Sequence, residues 1–300
     1  MQCSLGRRHA RGSAAEAAGR GVLETFSASD GARVAYHVEG DGRPLVFLHG
    51  LMANAGFFEP QRALADDFRV VRIDLRGHGT TPAGDTPPTL ERLAADVAEL
   101  VEALGLEGAV AIGWSLGASV LWRLLAGPAA LRFAGAVVID MTPCVLNGGG
   151  WTLGLSQDHC DARRDAIAED FHTFAAAAGA AIFAQPLDAR TGPMARWASE
   201  EFCRADAGAV RALWDSLVAE DFRAALPRIA QPTLVVHGAH SHLYGADTAE
   251  HIVRALPDAR DLQFDRSGHS PHLEQPERFN RALRDFAASL PPVRQPELTD

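Results

Sequence analysis

The feature that most restricts what this chain can fold into is a repeated exchange of two hydrophobic periods. Apolar runs of strand length, such as "PLVFL", "AVAIG", "GAVVI" and "TLVV", alternate with stretches whose apolar residues recur at helical spacing. Runs that are apolar throughout fit strands buried on both faces. Strands alternating with helices imply a mostly parallel sheet covered by helices on either side.

The first two strands are the exception, since "VLETFSAS" and "ARVAYHVEG" flank Asp30-Gly31, a strong hairpin signal. The later strands are "RPLVFLHG", "FRVVRID", "EGAVAIGWS", "FAGAVVID", "PTLVVHG" and "ARDLQF", which makes eight in all. Between them Thr89 is placed to cap a helix striped by Leu93, Val97, Leu100, Val101 and Leu104, and Gly105 stands where a C′ glycine belongs. Another helix runs from Ser115 to the Gly127-Pro128 stop. A further helix lies near Asp247 to Ala255, and a last one carries Phe279, Leu283, Phe286 and Leu290.

The exchange lapses once. From Asp140 to Pro232 there is a glycine run (Gly148, Gly149, Gly150) and then only amphipathic helices. One carries Ile167, Phe171, Phe174, Ala178 and Ile182; another carries Val210, Leu213, Trp214 and Leu217. An insert at this point, after the sixth strand, would sit over the carboxyl ends of the strands, where such sheets bind ligands. The expected organisation is therefore a core of residues 22–142 and 229–292, a helical cap of 143–228, and a tail of 1–21 outside the fold. The tail is rich in Arg, Ala and Gly and has no apolar h-region, so it does not read as a secretory signal.

Composition narrows the chemistry. The formal net charge of −10 disfavours a nucleic-acid surface, which needs a basic stripe. No apolar run is long enough to span a bilayer. All 28 basic residues are arginine, which removes Schiff-base chemistry and any lysine-bearing phosphate loop. Cys3, Cys144, Cys160 and Cys203 are widely spaced and read as free thiols of a reducing compartment, so a cytoplasmic location is expected.

"GWSLG", Gly113 to Gly117, matches G-x-S-x-G between a strand and a helix. The turn in such a motif is so tight that small residues must flank the serine, which leaves the Ser115 hydroxyl exposed at the sheet edge. The helix beginning there points its free N–H groups at the site, as a developing oxyanion requires. "HGLMAN" after an earlier strand supplies a second donor, so the backbone N–H groups of Leu51 and Leu116 are the candidate oxyanion hole. His49 reads as a residue that shapes its loop.

In order along the chain stand HG (49–50), DLRGHG (74–79), GWSLG (113–117), the insert, PTLVVHG (232–238) and SGHSPHLEQPERF (267–279). This series resembles the α/β-hydrolase superfamily and is most similar to its capped esterase and haloperoxidase-like branch, from Thr25 to Leu290. The resemblance implies an α/β fold with a helical cap and a base histidine at His269. His272, three residues on, is the competitor for that role, with packing of the last helix as its plainer reading. Asp74, Arg76 and His78 read as a structural loop network.

The resemblance also implies a triad acid three residues after Gly238, but that position is Ser241. Its loop, "HGAHSHLYGAD", holds His237, His240 and His242, yet His240-x-His242 is a weak metal pair without a third ligand in fixed register. No metal or other cofactor is expected. The better acid is Asp140, which ends the strand expected beside that of Ser115. Asp140 could instead cap the turn at Thr142-Pro143, and Asp247 is the fallback, with a helix N-cap as its plainer role.

These readings add up to a serine hydrolase acting on a small-molecule carboxylic ester or thioester. Ser115 would attack, His269 would move the proton and Asp140 would orient His269. Trp114, Trp151, Phe171 and Trp214, with Trp197, point to an apolar acyl or aryl group, although core packing also accounts for them. Other chemistry on the same residues (acyl transfer, C–C or lactone hydrolysis) and a catalytically weak binding relative stay open.

Overall fold

A computed structural model describes residues 22–292. The tail read at 1–21, with Cys3, lies outside the described residues. The eight strands are β1 (Val22–Ser27), β2 (Arg33–Glu39), β3 (Arg43–Leu48), β4 (Phe68–Ile73), β5 (Ala109–Trp114), β6 (Phe133–Ile139), β7 (Thr233–Gly238) and β8 (Ala259–Phe264). They form one sheet in the order β1-β2-β4-β3-β5-β6-β7-β8. Only β1–β2 and β2–β4 pair antiparallel; the rest are parallel.

The parallel centre is dry because its sequence is apolar on both faces. Every residue of β5 and of β7 is buried. Helices α1 (Leu90–Ala103) and α2 (Leu116–Leu125) follow β4 and β5. Thr89 caps α1 by accepting from the Arg92 N–H at 3.2 Å, and Gly105 takes the left-handed conformation just past its end (φ 60°). Arg76, fully buried, donates to both oxygens of Asp96 and both of Asp30, which ties the first hairpin to α1. Those bonds hold the Asp30 carboxyl at about 2.

Between β6 and β7 lie four helices: α3 (Gln157–Glu169), α4 (Phe171–Ala181), α5 (Thr191–Phe202) and α6 (Ala207–Val218). Two details differ from the sequence reading. The single helix expected through Ile167 and Ile182 is broken at Asp170, whose carboxylate caps α4 by accepting from the Thr173 N–H. Helix α5 was not foreseen, because its buried face is mostly small: Thr191, Ala195, Ala198 and Phe202.

The chain closes with α7 (Ala246–Ala255), β8, a short turn α8 (Pro271–Glu274) and α9 (Pro276–Ser289). Among the described residues no helix is long and apolar enough to cross a membrane.

Candidate active site

Ser115 sits between β5 and α2 with φ 53° and ψ −121°, a conformation that L residues rarely hold. The flanking glycines explain how the turn is tolerated. A Cβ on Gly113 would stand 2.5 Å from the Gly117 carbonyl oxygen, and one on Gly117 would stand 2.0 Å from that of Leu48. Only hydrogen fits at either place. The result is a half-buried serine facing a cavity of about 370 Å³.

Among the described residues only Met52 (φ 65°), Ser115 (φ 53°) and Asp140 (φ 46°) are non-glycine residues with positive φ. Met52 and Ser115 line that cavity, and Asp140 ends the neighbouring strand. Backbone strain of this kind persists where the surrounding structure over-determines it, and it gathers at working sites.

His269 lies in the loop after β8, lines the same cavity and is almost fully buried. The Trp114 indole N–H donates to its carbonyl at 2.8 Å. The Ser115 hydroxyl is hydrogen-bonded to no described residue, His269 included. Such contacts commonly tighten only when substrate is bound.

Behind His269 stands Asp140, its side chain wholly buried at the end of β6. Its Oδ1 is 3.4 Å from His269 Nδ1, longer than a good hydrogen bond, and in this geometry Nδ1 has no hydrogen-bond partner. The same Oδ1 accepts from the Ser241 hydroxyl at 3.1 Å, while Oδ2 accepts from the Gly238 N–H at 3.3 Å. Ser241, at the position where the resemblance implies an acid, thus donates to the acid on the adjacent strand.

The other candidates fall elsewhere. Asp247 is exposed in the first turn of α7, which begins at Gly245 without a side-chain cap, so it is not the N-cap expected of it. His272 is fully buried between Phe58 and Trp114, ring centroids 4.8 and 4.9 Å away. Burial, then the neighbouring His269, pull it down to about 3. Both of its ring nitrogens lack partners, and it does not line the cavity.

His49 and His78 brace the loops around the site. His49 Nε2 accepts from the Leu75 N–H at 3.0 Å and His78 Nε2 accepts from the Met52 N–H at 3.0 Å. Their Nδ1 atoms lie 2.8 and 3.1 Å from the Gly50 and Arg76 carbonyls, which assigns the proton to Nδ1 in each ring. Asp74 completes this frame by accepting from the Ala55 and Thr80 N–H groups.

In the loop after β7, His237 sits 3.0 Å from the Asp261 carboxylate, His240 is exposed, and His242 reaches the cavity wall. Among the described residues no three His, Cys, Asp or Glu side chains gather as a metal site would require.

Leu51 lines the cavity and Leu116 opens α2, and neither N–H donates to a described acceptor. Of the aromatics singled out in the sequence, Trp114 and Trp214 line the cavity and Trp151, Phe171 and Trp197 do not. Trp151 packs on His251 and under Arg223, Phe171 starts α4 at the edge of the core, and Trp197 packs at a tilt against Phe57. Sequence reasoning missed Arg163 and Tyr244 as cavity residues.

It also missed Glu274, whose carboxylate accepts from the Gly268 N–H at 2.7 Å and from the Ala184 N–H at 2.8 Å. That buried acid joins the His269 loop to the helical segment. Its place in "HSPHLEQP", five residues after His269, was the signal available.

The family model described as alpha/beta hydrolase fold matches residues 43–276. The chain is 30% identical to a non-heme chloroperoxidase of Streptomyces lividans over 89% of this chain and all of that one. It is 29% identical to a pimeloyl-[acyl-carrier protein] methyl ester esterase of Nitrosomonas europaea over 81% of this chain and 96% of the other. Among solved structures, an esterase from Exiguobacterium antarcticum superposes with a TM-score of 0.83 at 25% identity, covering 88% of this chain and 99% of that one.

Proposed function

We propose that this chain, which belongs to the α/β-hydrolase fold family, is a serine hydrolase that cleaves a carboxylic ester or thioester. The hydrolase reading rests on the family and on relatives named as esterases. The assignment of roles rests on one observation above the rest. Ser115, in a strained strand-to-helix turn, shares a cavity with His269, and a buried carboxylate lies directly behind that imidazole.

Ser115 Oγ attacks the acyl carbon while His269 Nε2 takes its proton. The N–H groups of Leu51 and Leu116 hold the oxyanion, aided by the positive end of α2. His269 then protonates the leaving alcohol or thiol. Water, deprotonated by the same imidazole, releases the acid from the acyl-enzyme. Asp140 keeps the proton of His269 on Nδ1 and stabilises the imidazolium that forms. Residues 143–228 act as a cap, since α4 and α6 contribute Phe174 and Trp214 to the cavity wall above the serine.

The test is labelling by a fluorophosphonate, followed by turnover of p-nitrophenyl esters of graded chain length and of acyl-CoA thioesters. The label is expected on Ser115, and Ser115→Ala should lose on the order of 10⁴-fold or more in kcat while its melting temperature is kept. A Ser115→Ala protein that retains a tenth of the rate would remove the assignment.

A further inference from the structure

The wall of the Ser115 cavity is largely apolar, yet one full cation is set into it. Arg163, on α3, lines the cavity and is half-buried. Its helix neighbour Arg164 is tied to both Asp161 and Asp215. Arg163 has no such tie: among the described residues its guanidinium makes no hydrogen bond or ion pair. It lies instead over the Trp214 ring, 5.6 Å from the centroid.

That ring is itself fixed, because its indole N–H donates to the Cys160 carbonyl at 3.1 Å. A cation–π contact of this kind restrains a guanidinium and leaves its fork of N–H donors free. A second unengaged donor is near. Tyr244 faces the same cavity, and its hydroxyl bonds to no described residue. Burial pushes its phenol well up, so it remains an O–H donor, and Arg163 is close enough to oppose that push. His242 and His269 are the other titratable groups on this wall, with Asp140 behind.

A half-buried cation beside apolar surface is costly unless an anion meets it. No described side chain supplies that anion, which leaves the guanidinium fork open to one carried by a ligand. One planar guanidinium matches one carboxylate, two N–H groups to two oxygens. A phosphate dianion calls for more positive charge, and no second arginine lines the cavity. At about 370 Å³ the space is near the small end of ligand pockets, which fits a short molecule reaching from the serine to α3.

We propose that the substrate is a short ester carrying a second, free carboxylate remote from the scissile bond, and that Arg163, with the Tyr244 hydroxyl, binds that carboxylate. This rests on the hydrolase reading of the same cavity. It adds a charge requirement which that reading does not contain.

The experiment compares kcat/KM for pairs of short p-nitrophenyl esters, one ended by a carboxylate, the other by an isosteric isopropyl group. A second set places the carboxylate on the alcohol side. Wild type should prefer the anionic ester by about 10- to 100-fold in one of the two sets, the worth of one charge-assisted pair. Arg163→Leu should erase the preference, and Arg163→Glu should transfer it to an ammonium-ended ester. That gain cannot come from misfolding.

Equal rates within both sets, or a preference that survives in Arg163→Leu, would overturn the carboxylate site while leaving the hydrolase intact. If no ester is cut and Ser115 resists the fluorophosphonate, the hydrolase reading fails instead. Calorimetric binding of adipate to wild type and to Arg163→Leu then decides the site alone. Binding lost in the variant supports it, and no binding to wild type sinks it.

Discussion

At the residue, the division of labour around Asp140 is the most exposed part of the proposal. If this carboxylate orients His269, Asp140→Asn keeps the shape but presents the wrong imidazole tautomer, and kcat should fall on the order of 10⁴-fold. Ser241→Ala removes one donor to Oδ1 and leaves the Gly238 N–H on Oδ2, so its loss should be near tenfold. Steady-state rates on one good ester check both, and an Asp140→Asn enzyme of near-normal kcat would mean that the acid is elsewhere or that the serine works with histidine alone.

His272 makes the opposite case. Its folded value of about 3 lies below the ordinary 6.5. The unfolded chain therefore binds a proton that the folded chain refuses. The stability it contributes is whole above pH 6.5 and drains away as pH falls toward 3. His272→Phe, among Phe58, Trp114 and Phe279, should flatten the fall of unfolding free energy between pH 6 and 4, by up to about 1.4 kcal/mol per pH unit, as read by denaturant titration. An unchanged slope would show that the ring does not titrate on unfolding.

At the element, the elbow was legible and the helices over the cavity were only partly so. A strand ending in G-x-S-x-G has one mechanical reading, since the space left at Gly113 and Gly117 admits no side chain. Gly117→Ala pushes a methyl against the Leu48 carbonyl at 2.0 Å and should shift α2 off the serine. The loss expected is at least hundredfold in kcat, together with a lower melting temperature; full activity would show that the turn can relax.

The break between α3 and α4 was hidden by apolar residues that keep helical spacing straight across it, from Ile167 to Ile182. Asp170 ahead of Thr173 was the cap signal, weaker than the stripe that ran through it. Helix α5 gave no stripe to see, because alanines make close packing without a hydrophobic pattern. Arg163 and Tyr244 were illegible for another reason. Which wall of a helix or loop faces a cavity is decided by tertiary packing, not by the order of residues.

At the scale of the molecule, the parts of the site come from segments far apart in sequence but adjacent in the sheet. β3, β5, β6 and β7 are successive neighbours, and their carboxyl ends deliver Leu51, Ser115, Asp140 and Ser241 in that order across the crevice. Connection rules favour adjacency of successive strands, and of these neighbours the sequence reading expected one, the Asp140 strand beside the Ser115 strand. The proposed mechanism routes the chemistry through side chains and backbone donors. Treatment with EDTA should thus leave esterase activity unchanged, since His237 faces Asp261 and His240 faces solvent. A loss restored by a divalent ion would contradict that.

The hydroxyl of Ser241 touching Asp140 also bears on how such a site can change over generations. Two seats for an acid, on adjoining strands, lie within hydrogen-bond reach of each other, and one of them stands 3.4 Å from the imidazole. A descendant with aspartate at both would hold two carboxylates within a few ångströms. One of them would stay protonated, and the other would still orient the ring. From that doubled ancestor either acid can be lost by a single substitution without an inactive step between. The acid can drift from strand to strand while the serine and the histidine stay where they are.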